Sequence, residues 1–281
     1  MPIQHLSIVG TGLIGGSIAL AVKQYISNCQ ISAYDSDPSA IEAALRLKAI
    51  DRSVPLAQIG AGADLTILCT PVGQFERVLR EIAPTLSAGT ILTDVGSTKR
   101  SITKLAAELL PPGVEFIASH PMAGSEKRGM DAAHADLFQR AVCMIMPKPT
   151  TPEVAAGLVE AFWTKLGMHV RRLLPEQHDQ IVARISHLPQ VMAMALTAIQ
   201  SEETLAYAGK GFKDTTRIAG SSAPLWLDIL KDNREEVLSA LSLLREELDG
   251  FERHLIAGDE PALLQWLSTA AEKRRNVGLQ T

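Results

Sequence analysis

The stretch Leu6–Ser17, LSIVGTGLIGGS, decides the fold. Its first residues are apolar enough for a buried strand, and Gly10, Gly12 and Gly15 then fall in the spacing GxGxxG before an apolar helical run. The three glycines act differently. Gly10 permits the tight turn, Gly12 lets the backbone approach a pyrophosphate, and Gly15 lets helix and strand pack closely. The helix start, with the Leu13 and Ile14 amides, then faces the phosphates. Alone, such a pattern has many causes. The next strand, QISAYD, adds weight because it ends in Asp35, 20 residues after Gly15. A carboxylate there accepts hydrogen bonds from ribose hydroxyls and repels a 2′-phosphate, so the expected cofactor is NAD rather than NADP. Asp37 reads as the cap of a helix starting at Pro38.

Moving outward, the apolar runs LTILC, TILTD, EFIAS, AVCMIM and MHVRRLL alternate with helical patterns at residues 15–25, 74–82, 99–110 and 152–166. This predicts an α/β, Rossmann-type doubly wound, mainly parallel sheet. After RRLLPEQHD no strand pattern remains, which puts a domain boundary between residues 173 and 174 and leaves 174–281 all helical. There Val237, Leu241, Leu244, Leu248, Phe251 and Leu255 recur at spacings of four and three. The seam reads as core packing for that helix, while the length of the helical half points to a homodimer.

Composition narrows the function. A net charge of −4 with scattered Lys and Arg argues against nucleic acid or an anionic membrane as partner. Cys29, Cys69 and Cys143 are too few and too far apart for a disulfide framework or a zinc site, so no metal is expected. No apolar run approaches the roughly 18 to 20 residues of a membrane span, and no signal peptide is evident. A cytoplasmic enzyme acting on a small molecule is expected.

Ligands of doubly wound sheets bind outside the carboxyl ends of the strands. Three further strand ends carry polar groups there: CTPVGQF with Thr70 and Pro71, LTDVGSTK with Ser97 and Lys99, and ASHPMAGSEKRG with His120, Ser125, Glu126 and Lys127. Pro121 biases His120 toward an extended backbone, and a neutral imidazole can take a proton from an alcohol as hydride leaves its carbon. The bland readings remain: a buried structural histidine, a Ser97 helix cap, a plain turn at Thr70.

The segments VGTGLIGGS, DVGSTK, SHPMAGSEKRG, ISHLPQVMA and FKDTTRIAGSSAPLW, in this order, resemble the prephenate and arogenate dehydrogenase family of tyrosine biosynthesis, over nearly the whole chain. The resemblance implies NAD-dependent oxidative decarboxylation of a cyclohexadienyl acid and a helical dimerisation domain. It places the catalytic histidine on His120 and the serine on Ser97, which bond the ring hydroxyl. The substrate carboxylate falls to Arg217 and the side chain to His187. Ser125, Glu126, Lys213, Asp214 and Trp226 fall at or near the pocket. A surface ion pair of Arg217 with Asp214 is the weaker alternative to substrate binding, while Trp226 reads equally as core. His178, His169, His134, His5 and His254 read as structural or solvated. Family members often carry Ser-Asp-Pro before the tryptophan, whereas Ser222 and Ala223 stand here, so an acid that could pair the ammonium of arogenate is missing and prephenate is expected. No fused mutase or separate regulatory domain is expected, and tyrosine, as a feedback inhibitor, is expected to act at or near the active site. The rivals are another NAD-dependent 3-hydroxy acid dehydrogenase, an imine reductase, or a nucleotide sensor without turnover.

Overall fold

The computed structural model describes residues 3–124, 127 and 129–277. Eight strands form one sheet: β1 (His5–Val9), β2 (Gln30–Tyr34), β3 (Arg52–Ser53), β4 (Leu65–Leu68), β5 (Ile91–Asp94), β6 (Glu115–Pro121), β7 (Val142–Met146) and β8 (His169–Arg172). Their spatial order is 3-2-1-4-5-6-7-8. All neighbours are parallel except β6 and β7, which pair antiparallel with His120 opposite Met144. The reason lies in the connection: between β6 and β7 the described chain forms only single 3₁₀ turns, and a parallel return needs a longer crossover, usually a helix.

Strand residues alternate between the two faces. Leu6, Ile8, Ile31, Ala33, Leu65 and Ile67 join one core with α1 (Leu13–Tyr25), α2 (Pro38–Arg46) and α5 (Glu153–Lys165), the last through Val159, Phe162 and Trp163. Val9, Leu68, Leu92, Phe116 and Met144 join the other, with Val78, Leu79 and Ile82 of α3 (Phe75–Ile82) and Ile102 and Ala106 of α4 (Arg100–Leu109). The sheet is therefore covered on both faces, as the near-continuous apolar strands require. Strand order reverses between β1 and β4, and the loops after these strands open a crevice at the carboxyl edge.

From Pro175 the chain is helical: α6 (Pro175–Val182), a π turn (Ala183–His187), α7 (Leu188–Ala198), α8 (Glu202–Leu205), α9 (Lys210–Thr216), a 3₁₀ turn (Arg217–Gly220), α10 (Ala223–Asp232), α11 (Arg234–Ala257) and α12 (Glu260–Arg275). Two compact units result, Met1–Asn233 and Arg234–Thr281. Helices α6 to α10 thus group with the sheet, because buried polar groups of α6 and Asn233 bond its edge loops and one another. The run Pro175–Ala198 has the length and mean hydropathy, 1.2, of a membrane span, which the sequence patterns did not suggest. Its His178, Asp179, His187 and Gln190 are buried polar groups packed within the protein, a pattern costly in a lipid-facing span.

Within the second unit, α11 and α12 pair through Phe251 and Trp266, whose ring centres lie 5.1 Å apart. The expected core seam is not buried: Leu248 and Leu255 are exposed, and Val237, Leu241 and Leu244 only half-buried. The core-packing reading of that seam fails because within this two-helix unit its leucines stay in contact with solvent.

Candidate active site

The cofactor loop begins where β1 ends. Gly10 has φ +99°, and a Cβ on it would meet the Cys69 carbonyl oxygen at 2.8 Å. A Cβ on Gly15 would lie 1.9 Å from the Gly10 carbonyl oxygen, so helix and strand can approach only over glycine. At Gly12 a Cβ would meet nothing within 4 Å, which leaves open space beside the loop. No side chain caps α1, so its first-turn amides remain for an anion. Asp35 holds this geometry, accepting from Thr11 N at 2.6 Å and Asp37 N at 2.9 Å. Its Oδ2 also accepts from the Thr11 hydroxyl at 3.2 Å, which leaves a further lone pair on Oδ1 for a ribose hydroxyl. The Asp37 carboxylate caps α2 through Ser39 N, as expected, and hydrogen bonds from the Ser39 hydroxyl and then from its amide hold its pKa low. The Thr70 hydroxyl is buried with no partner among the described residues, another atom a bound nucleotide could satisfy. These residues fit NAD.

A cleft of about 530 Å³ opens beside this loop. Gly12, Leu13, Ile14, Thr70, Pro71, Ser97, Lys127 and Trp226 line it, with Trp226 half-buried on its wall. Gly10, Gly15, Asp35, His120 and His187 do not form its wall. Lys213, Asp214 and Arg217 are exposed and also stand off that wall. Ser125 and Glu126 lie outside the described residues.

Two loops are locked to each other beneath the cleft. Asp94 accepts from Gly96 N at 2.8 Å and from Ser119 N at 3.1 Å, tying the Ser97 loop to the residue before His120. Lys99 was expected to face the nicotinamide. Its ammonium instead lies fully buried under the loop, bonded to Asp94 and the Gly96 carbonyl, each at 2.6 Å. A buried ammonium requires such partners. Nor does Ser97 cap α4: Asp179 from α6 does, accepting from Lys99 N at 2.9 Å and Arg100 N at 3.0 Å.

His120, the residue before the last of β6, is only 8% exposed, and its Nδ1 lies 2.8 Å from Nε2 of His178. Nδ1 of His178 lies 2.8 Å from the Asp179 carboxylate. Of the two readings from sequence, structural or solvated, the buried and doubly bonded His178 excludes the solvated one. The row fixes the protons. An ionised carboxylate only accepts, so His178 donates from Nδ1; neutral, it accepts at Nε2, and His120 donates from Nδ1. The lone pair of His120 is left on Nε2. Burial first, then the charges of His178, Lys99 and His187, hold the His120 pKa well below its ordinary value, so the ring is neutral near pH 7. Burial likewise lowers His178, against the Asp179 hydrogen bond. Burial pushes Asp179 up, but bonds from His178 and from the amides of Arg100 and Lys99 hold it low. A buried base, oriented by a second group and that by a third, is the arrangement proton abstraction needs.

His187 is fully buried at the start of α7, with its ring edge-on to Trp226 at 5.9 Å and its pKa lowered to about 4 by burial. Cys69 lines the cleft, but burial pushes its thiol up, away from thiolate chemistry.

Comparison with known proteins agrees with this geometry. Residues 18–172 match the family described as "Prephenate dehydrogenase, nucleotide-binding domain", and residues 174–269 match "Prephenate dehydrogenase, dimerization domain". A cyclohexadienyl dehydrogenase of Zymomonas mobilis is 32% identical over 96% of this chain and 95% of its own. A prephenate dehydrogenase of Bacillus subtilis is 34% identical over 97% and 76%. Among solved structures, prephenate dehydrogenase from A. aeolicus in complex with hydroxyphenyl propionate and NAD+ superposes with a TM-score of 0.92, at 29% identity and 99% coverage of both chains. Synechocystis arogenate dehydrogenase reaches 0.84 at 28% identity, over 97% of this chain and 99% of that one. With a glycine loop shaped for NAD and both family domains along its length, the chain belongs to the prephenate dehydrogenase family of NAD-dependent oxidoreductases.

Proposed function

We propose that this chain oxidatively decarboxylates prephenate to 4-hydroxyphenylpyruvate on the route to tyrosine, acting in the cytosol. The observation that carries the reading is the buried, hydrogen-bonded row Asp179, His178, His120. When bound, NAD+ accepts the hydride from the ring carbon that bears the hydroxyl. His120 Nε2 takes the hydroxyl proton as the carbon–oxygen double bond forms, and His178 with Asp179 stabilises the imidazolium. The ring carboxylate then leaves as CO2, its bonding electrons make the ring aromatic, and His120 returns the proton to the phenolate oxygen. Ser97 bonds the same hydroxyl. Arg217 takes the substrate carboxylate in its planar fork, His187 the side chain, and Lys213, Trp226, Ser125 and Glu126 complete the pocket.

Lys213 and Arg217 stand off the cleft wall within one chain, which supports a homodimer whose second copy completes the site. The exposed Leu238, Leu248, Leu255, Leu264 and Leu267 on α11 and α12 support it too. We assign residues 1–173 to nucleotide binding and 174–281 to substrate binding and dimerisation, an assignment supported by the two family matches.

Prephenate is chosen over arogenate by polarity. The described wall of the cleft offers Ser186, Ser221, Ser222 and Lys127; with Glu126 assigned to the mouth of the pocket, the side-chain end, where Ser222 and Ala223 stand, offers no carboxylate to pair an ammonium. Tyrosine, being product-like, would inhibit by occupying the same cleft. The test is NADH formation from NAD+ with prephenate and, separately, with arogenate. Turnover of prephenate alone is expected. Turnover of arogenate alone would overturn the substrate assignment, and turnover of neither would overturn the reaction.

A further inference from the structure

Asn233 closes α10 and is 3% exposed. Its Nδ2 lies 2.8 Å from the Asp179 carbonyl oxygen and 3.2 Å from Nδ1 of His187. A backbone carbonyl can only accept, so the atom facing it is the amide nitrogen and not its oxygen. That nitrogen is a donor, so the ring atom it also faces, Nδ1 of His187, must be unprotonated. The one proton of the neutral ring then sits on Nε2, which is buried and has no partner among the described residues. A buried N–H left unpaired is costly, so the position calls for a ligand atom.

We propose that Asn233 is a positioning residue that fixes His187 as an obligate hydrogen-bond donor, and so selects substrates whose side chain presents an oxygen acceptor rather than an ammonium. The proposal rests on the reading of His187 as the side-chain contact of a cyclohexadienyl substrate. A keto or carboxylate oxygen satisfies the Nε2 proton, whereas an ammonium has no lone pair to offer. Asn233 touches no reacting atom; it acts through the tautomer of its neighbour.

Nitrogen-15 NMR of the imidazoles in the intact protein tests the first half, with the His187 signals assigned by their loss in His187→Gln. The proton is expected on Nε2, and a proton on Nδ1 would overturn the proposal. In Asn233→Asp, a carboxylate accepts from Nδ1 and the proton moves there. The ratio of dissociation constants for 4-hydroxyphenylpyruvate and tyrosine, measured with NAD+ present, should then shift toward tyrosine by about tenfold, one hydrogen bond's worth. Unchanged NAD+ affinity shows that the variant is folded. A moved proton with an unchanged ratio would overturn the selection claim. Failure of the wild-type protein to turn over any cyclohexadienyl acid would instead strike the proposed function, leaving the tautomer result to stand or fall by itself.

Discussion

Replacing His178 by Leu separates the base from the group that orients it. The two side chains are similar in size, so the change removes hydrogen bonds with little change in packing. His178 is fully buried, and its Nε2 is the partner seen for His120 Nδ1. Without it the His120 proton is free to sit on either nitrogen, and the imidazolium formed during turnover loses a hydrogen bond to a charged group, about 1.5–3 kcal/mol. That corresponds to a fall of about 10- to 150-fold in kcat. Asp179 keeps the amides of Lys99 and Arg100, so the fold should lose only about 1 kcal/mol. The assay is initial NADH formation at saturating NAD+ and prephenate, with NAD+ affinity measured by fluorescence and stability by urea. The expected outcome is a lower kcat with unchanged NAD+ affinity. An unchanged kcat would refute the relay, and a kcat that fell only in step with stability would show that His178 merely fills space.

Three further outcomes follow from the same geometry. Gly12→Ala should keep wild-type stability but weaken NAD+ binding, since its Cβ enters open space, whereas Gly15→Ala should lower stability itself because its Cβ would lie 1.9 Å from the Gly10 carbonyl oxygen; urea midpoints and NAD+ titration separate the two. Lys99→Met strands the buried Asp94 carboxylate and should cost about 3–5 kcal/mol in urea unfolding, part of it recovered by adding Asp94→Asn. The pKa of His187 is about 4 in the folded chain, below the roughly 6.5 expected unfolded. Its contribution to stability is therefore complete above about pH 6.5 and is lost toward pH 4, by at most about 3 kcal/mol, which unfolding curves across that range will show.

Strands and the cofactor loop were legible because their causes are local: continuous apolar runs, a glycine spacing, and an acid at a fixed distance. His120 was legible for the same reason, being held at a strand end by its proline. His178 was not. Its role depends on α6 docking against the loop after β5, a contact 58 residues from His120 that no periodicity encodes. The available signal was the dipeptide His178-Asp179, an imidazole beside a carboxylate, in a helix start otherwise lacking chemistry. Lys99 was misplaced because a lysine in a polar loop ordinarily faces water; only the structure reveals Asp94 and two carbonyls waiting beneath it. The α11 seam was misjudged because a heptad-like spacing says that a face is covered without saying by what.

The central claim is that His120 Nε2 is the base. His120→Asn keeps a donor toward His178 but removes the titratable ring, so the measurement that tests the claim most directly is NADH formation by this variant, with NAD+ affinity measured in parallel. Loss of turnover with wild-type NAD+ affinity is the predicted result. Turnover within a few-fold of the wild-type rate would contradict the account and require a different base.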